Sequence, residues 1–372
     1  MRFKLLILLM LTSSLRAATD FLSLFICTDR WEKAPDPPKD APTPWLTGTL
    51  LALPGTVVTG GHVTYEWYLY STFNTGVYNS HWHPTGTPLF VSINPQLLFF
   101  YGINEWMDIQ IAPEVLYNIC KDQSSVHLGD LAVGVDIQLI DATKYKCIPG
   151  VKFTYLEIFP TGNFEDLGPY RRGTDVSGGG AFGSNVELLF YKVTQISGIH
   201  FLSTTLSLDY IGYVPEKVYG FNAFGGGFGA NGKIFPGSIY SSTLSFEYTL
   251  TQNWVLACDA FYLHRNRTRF SGFPGTTLTG ALSTVGIPSS EQLSFAPAIE
   301  YNFSSTFGII GGVWFTACGR NSLQFCSGVI EADLLNLLPY GLLSQQPRAL
   351  HTSPCIQHHE KYQTFYPGHR RL

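Results

Sequence analysis

Ten carboxylates recur at the polar positions of segments that alternate polar and apolar residues: Glu66, Asp108, Glu114, Asp130, Asp136, Glu187, Asp209, Glu247, Asp259 and Glu300. Lys152 is the one clear basic residue at a comparable mid-segment position. Lining a narrow, wet tube with low-dielectric walls, such a row would attract cations and repel anions by Coulomb focusing. A structural alternative stands beside this. Arg171, Arg172, Arg265, Arg267, Arg269 or Arg320 could fold in from loops, or Lys33 and Lys39 from the N-terminal stretch, and neutralise an interior filled by side chains. Residue types alone leave both open.

Other candidates carry weaker signals. SHWHP sets His81 and His83 two apart, a spacing that can chelate a metal, but no third ligand is nearby and ordinary loop chemistry is expected. GGGAFG (178–183) and GFGANG (227–232) both match GxGxxG. Neither opens a helix within a βαβ unit, so they are expected to be loop or strand-end glycines, not a nucleotide site. A lipid hydrolase would need His200 or His264 beside an inward or rim serine. The chain has no GxSxG and no His-x-Ser-Asn-Gly run, and His200 shares a face with Leu202 and Leu206, so no enzyme is expected. The seven cysteines (27, 120, 147, 258, 318, 326 and 355) show no CxxC spacing. No zinc ribbon, metal or other cofactor is expected, and their pairing stays open.

The elements that must position these residues read as strands. In HLGDLAVGVDIQLI, Leu131, Val133, Val135, Ile137 and Leu139 point one way, while Asp130, Ala132, Gly134, Asp136 and Gln138 point the other. GHVTYEWYLY, LFVSINPQLLFFY, WMDIQIAPEVLY, SIYSSTLSFEYTL and WVLACDAFYLH repeat the pattern. The segments number about twelve, each long enough to cross a membrane when tilted. Tight turns at Gly102–Asn104, Thr194–Gln195, Thr251–Gln252 and Ser304–Ser305 alternate with longer connections at 73–87, 119–126, 160–176, 212–234 and 265–289. An up-and-down meander through a membrane keeps that rhythm, with tight turns on one side and extended loops on the other.

Composition agrees. Charged residues make up 13% of the 372, about half the usual share of a soluble domain, while hydrophobic residues reach 45% and aromatics 15%. Ionised groups avoid the apolar face, as lipid requires. A net charge of -4 with no basic stripe excludes a nucleic-acid partner. The expected fold is all-β: a transmembrane up-and-down antiparallel β-barrel of about 12 strands in a bacterial outer membrane. Residues 1–18 read as a signal peptide, with Arg2 and Lys4 before an apolar run and Ala17/Ala18 as the cut. Residues 19–60 read as a Pro-rich periplasmic leader, 61–335 as the barrel, and 336–372 as a disordered tail without alternation.

Several stretches, in order, also resemble a known family. PWLTGTLLALPGTVVTGGHVTYEWYLY, the turn in YGINEWMDIQIAPE, LGDLAVGVDIQL and FPTG are similar to outer-membrane transporters named for the MetA pathway of phenol degradation. The likeness spans roughly residues 45 to 335 and rests on glycine and turn signatures. It implies a porin-like barrel with aromatic or other small hydrophobic cargo in some members, and no catalytic residues. Two departures stand out: Asp136 occupies a position where members tend to carry a basic residue, and the chain continues past its last strand instead of ending on an aromatic. The functional expectation is passive passage of small solutes or cations. The alternative is a structural or surface-interaction protein without an open pore. Expected partners are membrane lipid, the outer-membrane insertion machinery and the cargo; the oligomeric state stays open.

Overall fold

In lipid every backbone N–H and C=O must find a partner within the protein, and strands achieve this only by closing into a barrel. The computed structural model shows that closure. It describes residues 42–145 and 148–337; the signal segment, the leader up to residue 41 and the tail from 338 lie outside the described residues.

Seventeen strands are formed among the described residues. They are β1 (Val63–Tyr78), β2 (Pro84–Asn104), β3 (Met107–Ala112), β4 (Val115–Cys120), β5 (Gln123–Leu128) and β6 (Leu131–Ile140). Next come β7 (Gly150–Phe159), β8 (Gly183–Ser197), β9 (His200–Tyr213), β10 (Glu216–Tyr219), β11 (Asn231–Phe235) and β12 (Ile239–Thr249). The last are β13 (Trp254–Arg265), β14 (Arg269–Phe273), β15 (Ser290–Asn302), β16 (Phe307–Arg320) and β17 (Leu323–Leu337). Neighbours pair antiparallel around the ring, and β1 closes it by pairing with both β2 and β17. The result is a closed barrel of 12 staves.

Two staves are interrupted, which reconciles strand and stave numbers. β2 pairs with β3 at one end and with β4 at the other, so β3 and β4 form one stave broken at Pro113, which has no N–H to donate. β5 and β6 form the next stave, broken at Gly129–Asp130 at the same level, where Gly129 N–H donates to the Glu114 carbonyl at 3.0 Å. β10, β11 and β14 form a separate three-stranded sheet beyond the barrel.

Alternation sorts the side chains by face as period 2 demands. Trp67 (53% exposed), Leu139 (57%) and Ile330 (55%) belong to an apolar outer surface, whereas Asp136 and Glu300 are fully buried within. A contiguous apolar surface of this extent is unstable in water and stable in hydrocarbon. Trp254, Tyr301, Phe303 and Phe307 stack at the tight-turn end, with ring centroids 4.7 to 5.1 Å apart, the position of an interfacial aromatic belt.

Three details of the sequence reading are corrected. The connections expected at 73–87 and 119–126 are mostly strand: β1 and β2 run on to a turn at 79–83, and β4 and β5 meet at Lys121–Asp122. Their Thr, Ser and Asn content masked hairpin arms that pair edge to edge. The tight turn expected at Thr194–Gln195 falls at Gly198–Ile199, where Gly198 supplies a positive φ. Finally, residues 42–60, the described part of the expected periplasmic leader, thread the barrel interior.

Candidate functional site: the barrel interior

The interior is built by register. Asp108 on β3 lies opposite Asp136 on β6, Asp136 opposite Thr154 on β7, Thr154 opposite Glu187 on β8, and Glu187 opposite Asp209 on β9. Four carboxylates thus share one row across five adjacent staves. Like charges so placed repel unless something intervenes. Lys152 does so in part: it is 1% exposed, and its Nζ lies 3.9 Å from Asp136 Oδ1. Gln110 Nε2 donates to Asp136 at 2.8 Å, and the Thr154 hydroxyl donates to the other oxygen of the same carboxylate. Ser207 donates to Glu187 at 2.6 Å, with Asp209 2.9 Å from the same hydroxyl.

Other wall carboxylates hold the chain that precedes β1. Thr47 donates to Glu300 Oε1 through its N–H (2.9 Å) and its hydroxyl (2.6 Å). Gly48 N–H donates to Glu247 at 3.2 Å, and Val58 N–H to Asp108 at 2.6 Å. Gln252 and Asn302, near the tight turns, donate to the carbonyls of Thr43 and Trp45. Between these ties Leu50 is buried against Ala257, Ala296, Ile310 and Val329. Residues 42–62 therefore enter at the tight-turn end, rise to Leu50, descend past Tyr191 and rejoin the wall beside Gly102. Glycines make room for them: a Cβ on Gly102 would meet the Thr59 carbonyl, and one on Gly312 would come 2.7 Å from Leu50. A Pro-rich stretch suits this path, because its missing N–H groups need no partner and the remaining ones meet carboxylates.

The remaining expected lumen residues are placed as follows. Glu66 is 1% exposed and accepts from the Tyr68 hydroxyl at 3.2 Å. Asp259 is fully buried and accepts from Ser245 at 2.5 Å. Glu114 accepts from Asn94 at 2.8 Å. Asp130 takes the N–H groups of Gly162 (3.0 Å) and Gly179 (2.7 Å), so within GGGAFG it is Gly179 that serves a carboxylate. The loop that carries it folds back on the inner wall at the opposite end, where Asn118 donates to the carbonyls of Thr174 and Val176. Of the arginines considered as neutralising partners, Arg320 pairs instead with Glu291 at 3.1 Å, and Arg172 with Asp122 at 3.4 Å. Lys33 and Lys39 lie outside the described residues. His81 and His83 sit at the β1–β2 turn, where both their N–H groups donate to Asn79. His264 pairs with Glu291, and His200 Nδ1 lies 2.9 Å from the Thr249 carbonyl.

Two features escaped the sequence. Glu331 and Asp333 are also buried inward, within 4.8 Å of Glu66. Their spacing of two was the available signal, but the same face of β17 carries Phe325, Val329 and Leu335, so polar contrast is lost. The interior also holds an aromatic cluster. Tyr68 stacks on Tyr70 at 5.7 Å, and Trp314 meets Tyr70 (6.4 Å), Phe261 (6.0 Å) and Phe325 (4.8 Å), its Nε1 donating to Ser294. Phe100 is also inward, 2% exposed, beside Tyr68 and Leu98. A cavity of about 200 Å³ opens beside the cluster, lined by Leu50, Leu51, Ala52, Leu53, Tyr68, Tyr70, Gln96 and Leu98.

No protein-family model and no curated protein matches the sequence. Among solved structures, an outer membrane channel from Pseudomonas putida F1 is 12% identical, covers 80% of this chain and 99% of its own, and superposes with a TM-score of 0.57. The fold is that of an outer-membrane β-barrel. The translocator domain of the autotransporter NalP from Neisseria meningitidis (11% identical, 74% and 89% covered, TM-score 0.41) also matches. So does the toluene transporter TbuX of Ralstonia pickettii (9%, 75% and 90%, 0.34); at these scores neither adds to the argument.

Proposed function

We propose that the protein is an outer-membrane channel for small apolar or aromatic solutes, in the manner of the phenol-degradation transporters its sequence resembles, with a lumen narrowed by its own residues 42–62. The observation that carries this reading is the aromatic cluster around Trp314 beside the 200 Å³ cavity. An apolar cavity of about 150 Å³ already accommodates benzene. Phenol titrated onto single-channel currents of the refolded protein is expected to block them, cyclohexanol less so, and Trp314→Ala to weaken the block several-fold. Currents indifferent to phenol reject the solute class; absence of any current supports the structural role instead.

The hydrogen bonds support the structural reading of the acidic row over the cation-selective one. Asp130 is engaged by two loop N–H groups, and Asp136 is saturated by Gln110, Thr154 and Lys152. Asp130→Asn and Asp136→Asn are expected to leave the reversal potential in a salt gradient unchanged. A shift toward anion preference would restore the electrostatic reading.

A further inference from the structure

The three-stranded sheet beyond the barrel has two unlike faces. Val218 and Ile234 on one are fully buried, and Glu216, the sole acid in these strands, pairs opposite Ile234 on that same side. The connection between β7 and β8 is tied to the residues after β10 through the Leu167 N–H, which donates to the Phe221 carbonyl. The other face is exposed and reads as rows by register: Lys217–Lys233–Ser271, Tyr219–Asn231–Phe273, and Phe235–Arg269. Three cations and three aromatics interleave there without a carboxylate. None of the three cations is in an ion pair among the described residues. Lys217 and Lys233 lie directly across from each other, an arrangement that costs stability unless an anion is shared between them.

Position indicates which anion. β10, β11 and β14 continue the course of β9, β12 and β13, in the same lateral order, on the side of the long connections. On the lipid-facing wall of those staves the Tyr210–Tyr240 pair (5.1 Å) stands near the end of the apolar band, as an interfacial belt does. Phe235 and Arg269 follow within a few residues, at roughly 3.3 Å of rise each. A recess of about 440 Å³ at the junction is lined by residues 235–238, Asn266, Arg267 and Arg269.

We propose that this face and recess dock the phosphorylated sugar headgroup of an outer-leaflet glycolipid. Lys217, Lys233 and Arg269 meet its phosphates, and Tyr219, Phe235 and Phe273 lie against its sugar rings. Basic clusters next to a membrane surface bind anionic headgroups through this chemistry. The test is binding of bisphosphorylated lipid A to the full chain in neutral detergent micelles, with monophosphoryl lipid A, heparin and single-stranded DNA as competitors. The combined variant Lys217→Gln/Lys233→Gln/Arg269→Gln is expected to bind lipid A about tenfold more weakly. Tyr219→Ser/Phe273→Ser is expected to weaken it by a smaller factor, and monophosphoryl lipid A to compete poorly. Lys121→Gln/Arg172→Gln, which alters the β4–β5 tip and the loop arginine paired with its Asp122, is expected to behave as wild type. Unchanged affinity in the triple variant, equal loss in the tip variant, or tighter binding of heparin or DNA than of lipid A at matched charge would overturn the proposal.

Discussion

Deleting residues 43–58 is expected to raise the single-channel conductance of the refolded protein several-fold and to remove most of its current noise. The deleted stretch occupies the lumen from the tight-turn end up to Leu50, and Thr59 to His62 remain to lead into β1 beside Gly102. The barrel's own ladder is untouched, because β1 pairs with β2 and β17 from Val63 onward. A gentler variant separates the plug from its anchors. Glu247→Gln/Glu300→Gln keeps side-chain volume but weakens the hydrogen bonds from Thr47 and Gly48, each worth roughly 1.5–3 kcal/mol while the acceptor is ionised. Frequent brief openings to the level of the deletion are expected. Equal conductance in all three proteins would mean that residues 42–62 do not obstruct the ion path.

Lys152→Met is expected to be the most destabilising single substitution in the wall. Lys152 and Asp136 are both buried, and Asp108, Glu187 and Asp209 share the row of Asp136. Removing one partner of a buried ion pair costs about 3–5 kcal/mol, because the other charge is left without its counterion. Guanidinium titration of the protein in lipid vesicles, followed by tryptophan fluorescence, reads this as a fall in the unfolding midpoint. Adding Asp136→Asn should recover part of the loss, since the two positions interact and their effects do not add. A Lys152→Met midpoint within error of wild type would place the positive charge needed by the row elsewhere.

These outcomes rest on features that the sequence disclosed unevenly. The staves were legible wherever one face is greasy and the other polar, as in Leu131–Ile140, because the period of two is set by the backbone itself. The burial of Glu66, Asp108, Asp136, Glu187, Glu247, Asp259 and Glu300 follows the same rule, since an ionised group on the outer face would meet hydrocarbon, whereas Glu114 and Asp130 sit in the breaks of their staves. Their partners were not legible, since register decides who sits opposite whom, and a pattern within one strand carries no register. The plug was hidden because residues 42–62 have no periodicity, and their hydrogen-bond acceptors lie as far as 253 positions away along the chain. The inward aromatics were missed on different grounds. Tyr70, Phe261 and Trp314 occupy the inner face, but an apolar residue on that face reads as a break in alternation.

The central claim is that hydrocarbon covers the apolar half of every stave while the other half encloses residues 42–62. Nitroxide scanning along β8 tests it most directly, one label at a time at positions 185 to 190 of the protein in lipid vesicles. Labels at Val186, Leu188 and Phe190 are predicted to collide with dissolved oxygen and to be shielded from a water-soluble nickel chelate. Labels at Asn185, Glu187 and Leu189 are predicted to be shielded from oxygen. Nickel accessibility at Val186 and Leu188, or a profile with no period of two, would contradict the account.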